Sequence, residues 1–218
     1  MTETGYPPRQ GLYDPQQEKD ACGFGFVVDI KGRASHAILE NALTVLVNLE
    51  HRGAAGAEAN TGDGAGILFQ TPHAFLRAEA DALGIALPAP GAWAAGMVFL
   101  PPHEGGRAAC VRIFEEVVRA EGLDVLGWRE VPTDPSTLGP TARSSQPVIR
   151  QILVGRGAAC ADEAAFERKL YVVRRLVEKR VSRSAIPGRT HFYVPSLSWK
   201  TVVYKGMLNA GQLREFYL

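Results

Sequence analysis

The hydrophobic and polar positions divide the chain into a polar leader and a series of short elements. Residues 1–21 are polar and punctuated by Pro7, Pro8, Gly11 and Pro15, which reads as a tail. At Cys22 the pattern changes. Cys22-Gly-Phe-Gly-Phe-Val-Val-Asp29 is apolar and β-prone, predicting a strand, with a turn at Lys31-Gly32. Ser35 suits the N-cap of a helix reaching about Glu50, because Ile38, Leu39, Ala42, Val45, Leu46 and Leu49 recur at helical spacing.

A Gly-rich stretch from His51 to Gly66 follows and reads as a loop, then a short strand at Ile67-Leu68-Phe69. Further helices are predicted at Pro72–Leu83, Gly105–Glu121 and Asp162–Arg183, and further strands at Ala92–Leu100, Leu123–Val131 and Pro147–Val154. The Pro- and Ser/Thr-rich stretch 132–146 reads as a loop. Two β-prone runs, Thr190–Ser198 and Lys200–Lys205, are separated so briefly that they suggest a hairpin. A last helix begins near Asn209. Adjoining β runs and few crossovers predict an α+β fold with antiparallel sheets.

Composition narrows the function classes. The chain has 218 residues, 46% hydrophobic and 22% charged, with a net charge of +1. These values exclude wholesale disorder and give no electrostatic reason for nucleic-acid binding. No apolar run approaches membrane-spanning length, and residues 1–21 lack the basic start and apolar core of a secretory signal. The three cysteines, Cys22, Cys110 and Cys160, include no CxxC pair, so neither a disulfide framework nor a metal site is expected. The chain reads as a reduced, cytoplasmic-type protein.

Two constellations carry candidate chemistry. Cys22 starts the predicted strand directly after the tail, beside Gly23 and Gly25, where the backbone is uncrowded. If cleavage fell between Ala21 and Cys22, the thiol would share a residue with a free α-amine. That amine titrates near ~7.7–8.0 and is a competent general base at neutral pH. A buried structural thiol is the alternative. The loop HRGAAGAEANTGDGAG holds five glycines with His51, Arg52 and Asp63. It is not a Walker loop, since no Gly-Lys-Ser/Thr follows. It also does not fit the dinucleotide fingerprint, since a helix precedes it and a strand follows. Arg52 is a candidate for orienting a carboxylate or carbonyl; a flexible connection is the plain alternative. Cys110 lies in a helical pattern with Val111, Phe114 and Val118 and reads as core. Cys160 has no metal partner nearby. The basic run from Arg168 to Arg183 is interleaved with Glu178 and reads as a solvated helix face.

Taken together, these blocks resemble the glutaminase domain of the glutamate synthase large-subunit family. The resemblance runs through Glu18-Lys-Asp-Ala-Cys22-Gly-Phe-Gly-Phe, Leu49-Glu-His-Arg-Gly-Ala-Ala-Gly56 and Thr61-Gly-Asp-Gly-Ala-Gly-Ile67. It resumes in Phe192-Tyr-Val-Pro-Ser-Leu-Ser198 and Thr201-Val-Val-Tyr-Lys-Gly-Met-Leu208. It implies a class II glutamine amidotransferase with the N-terminal-nucleophile hydrolase fold, an αββα sandwich of antiparallel sheets. It implies residues 1–21 as a removable propeptide and 22–218 as the N-terminal part of the amidotransferase domain. Cys22 would be the nucleophile toward L-glutamine, Arg52 and Gly23 would bind substrate or orient the site, and Asp63 and Gly64 would lie in a loop near it.

For the full-length family protein, the resemblance implies synthase domains on the same polypeptide, FMN and an iron–sulfur cluster, and a reductase small subunit or ferredoxin as electron source. No cofactor, nucleic acid or membrane is expected for this chain. The family's domain also carries an Arg-Phe-Ser-Thr substrate clamp and an Asn-Gly oxyanion hole. This sequence contains no Asn-Gly dipeptide and no Arg-Phe-Ser segment. The chain is therefore expected to be an incomplete domain, with little glutaminase activity alone. Two alternatives stand beside it: another class II amidotransferase, feeding purine or amino-sugar synthesis, or a non-catalytic interaction or regulatory fragment. The KGML block and the long spacing before FYVPSLS disfavour the former.

Overall fold

Six short β-prone runs pair into two antiparallel sheets. A computed structural model describes residues 9–11, 14, 23–53 and 58–217. In chain order these form α1 (His36–Asn48), β1 (Ala65–Gln70), α2 (His73–Ala82), β2 (Trp93–Leu100), α3 (Glu104–Ala120), β3 (Asp124–Glu130), α4 (Pro140–Ser144), β4 (Val148–Gly155), α5 (Glu163–Ser182), β5 (Tyr193–Ser198), β6 (Thr201–Gly206) and α6 (Gln212–Phe216). Short 3₁₀ turns lie at Glu50–Arg52 and Arg189–His191. One sheet has the order β3-β4-β2-β5 and the other pairs β1 with β6. Every pairing is antiparallel, so the architecture is mixed α/β with antiparallel sheets.

The larger sheet is apolar on both faces, because both are covered. One face of β2 carries Ala94, Val98 and Leu100, which pack with Phe114 and Val118 of α3 and Phe166, Leu170 and Val173 of α5. The other face carries Trp93 and Ala95, covered by Leu76 and Ala80 of α2, and Met97, which packs with Val202 of β6, Leu208 and Leu213. The smaller sheet lies against this second face. Asp162 caps α5 by accepting from the Ala165 N–H at 2.6 Å, satisfying one of the orphan amides of the first turn. Ser35 takes the N-cap position of α1, but its hydroxyl makes no capping bond.

The expected hairpin between β5 and β6 does not form. The two strands belong to different sheets: β5 pairs with β2, and β6 with β1. A two-residue hairpin needs positive-φ residues in its loop, whereas among the described residues only glycines have positive φ and the connection is Trp199-Lys200. Ser198 directs the chain instead. Its hydroxyl donates to Glu167 Oε1 at 2.6 Å and accepts from the Lys200 and Thr201 amides at 3.0 and 3.3 Å. The Glu167 carboxylate also accepts from the Trp199 N–H at 3.2 Å. The chain arches from one sheet to the other on this polar pivot, anchored to α5.

Two further expectations are corrected. Stretch 132–146 contains the short helix α4, started by Pro140 at its first position, where proline's fixed φ suits a helix. Residues 23–29 form no strand. The segment is apolar as read, but Phe24, Phe26 and Val28 are 88%, 82% and 68% exposed. A strand, however, is defined by a hydrogen-bonded neighbour, and none among the described residues pairs with this segment. It passes over α1 instead, so closely that a Cβ on Gly25 would come within 2.5 Å of Val45 Cγ1.

Candidate active site

Helix α1 delivers the chain into the first candidate segment. Its C-cap residue, Leu49, leads into the turn Glu50–Arg52, and the Gly53 N–H closes that turn on the Glu50 carbonyl at 2.9 Å. Arg52 is thereby placed at the end of the turn. Gly53 lies beside the second candidate segment, because a Cβ built on it would sit 3.6 Å from Asp63 Oδ1. The fold thus brings the Arg52 turn and the TGDGAG loop together. Cys22 lies outside the described residues, and Gly23, half-buried, stands next to it in the chain.

Asp63 is exposed and Gly64 adopts φ +141°, a conformation that side-chain-bearing residues rarely take. Both lie on the wall of a groove of about 730 Å³ that also includes Leu68, Phe99, Tyr193 and Lys205. Lys205 Nζ stands 4.9 Å from the Tyr193 ring centroid. The groove combines apolar walls with one carboxylate and one ammonium. That pairing is suited to a small ligand carrying both charges or to an extended peptide segment.

Segment 58–62, just before Asp63, is held by residues distant in sequence. Glu58 Oε2 accepts from the Thr61 hydroxyl at 2.7 Å and the Thr141 N–H at 3.0 Å, and Oε1 accepts from the Thr141 hydroxyl at 2.8 Å. These bonds, led by that from Thr61, hold the Glu58 carboxyl below its ordinary range. The Asn60 carbonyl accepts from the Gly139 N–H at 2.9 Å and from Gln212 Nε2 at 3.1 Å. Asn209 Nδ2 donates to the Ala59 carbonyl at 2.8 Å.

Sequence reasoning singled out Arg52, Asp63 and Gly64, and the fold brings those segments to one place. It missed Glu58, Thr141, Asn209 and Gln212, whose partners lie up to 152 positions away. It also missed Lys205 and Tyr193. Cys110 is fully buried in the core, and burial pushes its thiol up to about 11. Cys160 is also buried. On α5, Arg174 pairs with Glu178 of the same helix at 3.1 Å, and Lys169 reaches across to Glu121 at the end of α3 at 3.0 Å. No helix is long and apolar enough to cross a membrane, and no group of three or more His, Cys, Asp or Glu is placed to hold a metal, both among the described residues.

Residues 22–218 match the family model of class-II glutamine amidotransferases. The chain belongs to that family. It is 40% identical over 217 residues to the glutamate synthase (NADPH) large chain of Bacillus subtilis, covering 100% of this chain and 14% of that protein. It is 41% identical over 212 residues to the glutamate synthase (NADH) of Schizosaccharomyces pombe, covering 97% of this chain and 10% of that one. Ferredoxin-dependent glutamate synthase 2 of Synechocystis is 40% identical over 202 residues, 93% of this chain and 12% of that protein. The chain therefore spans about a tenth to a seventh of the length of these curated relatives.

Proposed function

We propose that this chain is the nucleophile-bearing part of a glutaminase that supplies ammonia within a glutamate synthase polypeptide. The observation that carries the reading is the family match over residues 22–218, which starts on Cys22. The two stacked antiparallel sheets with α3 and α5 on the outer face support an N-terminal-nucleophile hydrolase architecture of the αββα type. Residues 1–21 are read as a propeptide and Cys22 as the mature N-terminus.

The chemistry follows from those groups. The Cys22 α-amine takes the thiol proton, and the thiolate attacks the carboxamide carbon of L-glutamine. The tetrahedral oxyanion collapses, the C–N bond breaks, and ammonia leaves with the proton that the amine returns. Water then attacks the glutamyl thioester, the C–S bond breaks, and glutamate departs with the thiol restored. The balance is glutamine plus water to glutamate plus ammonia. Arg52 and Gly23 bind substrate or orient the site, and Asp63 and Gly64 line it. Oxyanion stabilisation and the substrate clamp come from the same longer polypeptide, as do its synthase domains. There ammonia combines with 2-oxoglutarate, with electrons from a reductase subunit or ferredoxin. FMN and an iron–sulfur cluster belong to those domains. The described residues offer no ligand cluster that fits an iron–sulfur centre, and no step above uses either group.

The test is Cys22→Ala in the full-length polypeptide. Glutamine-dependent glutamate formation is lost and ammonia-dependent formation is retained. Glutamine-dependent turnover that survives the substitution refutes the assignment.

A further inference from the structure

We propose that Glu58 and Gln212 are positioning residues of this site, locking segment 58–62 so that Asp63 and Gly64 stand beside the turn bearing Arg52. The inference rests on the assignment of that turn and loop to the glutaminase site.

A glycine-rich loop cannot hold its own geometry. Ordering each residue costs conformational entropy, and glycine costs the most. Restraint has to come from outside, and here it comes from two directions. Glu58 reaches α4, whose N-cap position is held by Gly139, a residue with no side chain to cap the helix. The Glu58 carboxylate takes over that task by accepting the Thr141 N–H, while its second oxygen accepts the Thr141 hydroxyl. A Cβ at Gly139 would collide with Thr61 Oγ1 and Glu58 Oε2, so the start of α4 is fitted against the side chains of the loop.

From the other side, Gln212 is buried and uses its whole amide. Nε2 donates to the Asn60 and Thr137 carbonyls at 3.1 and 2.7 Å, and Oε1 accepts from the Asn209 N–H at 2.9 Å. Asn209 in turn grips the Ala59 carbonyl. Two segments distant in sequence thus converge on five residues, and the next two are Asp63 and Gly64. A clamp serving fold stability alone has no need to end at the loop that meets Gly53.

The experiment compares Glu58→Ala, Glu58→Gln and Gln212→Leu with the parent full-length polypeptide. It measures glutamine-dependent kcat and KM, ammonia-dependent turnover, and the fraction of Cys22 thiols alkylated by a chloroketone analogue of glutamine. The expected result is a kcat with glutamine lower by about 10- to 100-fold, the scale of a small misplacement at a reacting centre. Ammonia-dependent turnover and the alkylatable fraction stay at the parent level. Glu58→Gln retains more activity than Glu58→Ala, because its carbonyl still accepts a threonine hydroxyl. Unchanged kcat overturns the proposal. So does a loss that only follows the alkylatable fraction, which would make the clamp structural. Cys22→Ala run alongside separates the two levels: if glutamine-dependent turnover survives there, the site assignment fails rather than the clamp alone.

Discussion

Gln151 Nε2 donates to the Tyr204 hydroxyl at 3.1 Å, and this bond crosses from the larger sheet to the smaller. Gln151 is fully buried, and its Oε1 accepts from Arg129 Nη1 at 3.1 Å. Arg129, itself buried, reaches Glu79 of α2 at 2.6 Å. The Tyr217 hydroxyl donates to the Lys205 carbonyl at 2.7 Å, and its ring packs edge-on against Tyr204. A buried polar chain therefore runs from α2 through both sheets to the strand that lines the groove. Satisfied networks of this kind fix register, and broken ones are costly.

Gln151→Leu removes the crossing bond and leaves Arg129 Nη1 without its acceptor. A buried group left unpaired costs about 1–3 kcal/mol. Urea unfolding monitored by circular dichroism is expected to show a lower midpoint at unchanged slope.

Phe114 is fully buried between α3 and the larger sheet, edge-on to Trp128 at 5.6 Å between centroids. Phe114→Ala opens a cavity in the main core and is expected to cost about 3–5 kcal/mol. The same denaturation experiment reads it. A loss below 1 kcal/mol would mean that the face is not packed as described.

Most elements of this fold were legible because their periodicities are local. The cores of β1, β2, β3 and β4 and the bodies of α2, α3 and α5 follow directly from short apolar, β-prone runs or from helical spacing. The arch at Trp199-Lys200 was not legible, because a brief gap between β runs fits a hairpin equally well. The deciding group, the Ser198 hydroxyl on Glu167, joins positions 31 apart. Residues 23–29 show the reverse case: the apolar, β-prone run was there, but pairing depends on a neighbour that local composition cannot supply. At the site, Gly and Asp in a short motif drew attention to the loop. What fixes that loop was invisible, since Thr141 and Gln212 look like ordinary residues in their own segments.

Gly62 and Gly64 carry different constraints. A Cβ at Gly62 would strike the Leu208 carbonyl and Asn209 Oδ1, while at Gly64 the obstacle is φ +141° rather than space. Gly62→Ala is expected to displace the loop and to lower glutamine-dependent turnover more than ammonia-dependent turnover in the full-length polypeptide. Gly64→Ala is expected to do the same through backbone strain of about 1–3 kcal/mol. Steady-state kinetics with each nitrogen donor checks both.

Burial holds the Cys110 thiol neutral, with its titration pushed up to about 11 from an ordinary 9.0. A raised folded value makes a contribution to stability that is complete below the unfolded pKa. Stability from this residue is therefore intact below pH 9.0 and is lost as pH rises through about 11. Cys110→Ala is expected to reduce the alkaline loss of stability across that window. At pH 8, iodoacetamide leaves Cys110 unmodified in the native chain and labels it in urea, read by peptide mass spectrometry.

The central claim is that Cys22 attacks glutamine as the first residue of the mature chain. Its most direct test is intact-mass and peptide mass spectrometry of the full-length polypeptide after treatment with a chloroketone analogue of glutamine. The account predicts a single adduct on a peptide that begins at Cys22, blocked by excess glutamine, with Cys110 and Cys160 unmodified. Full glutaminase activity in a chain that still carries residues 1–21, or an adduct on another residue with Cys22 free, would contradict it.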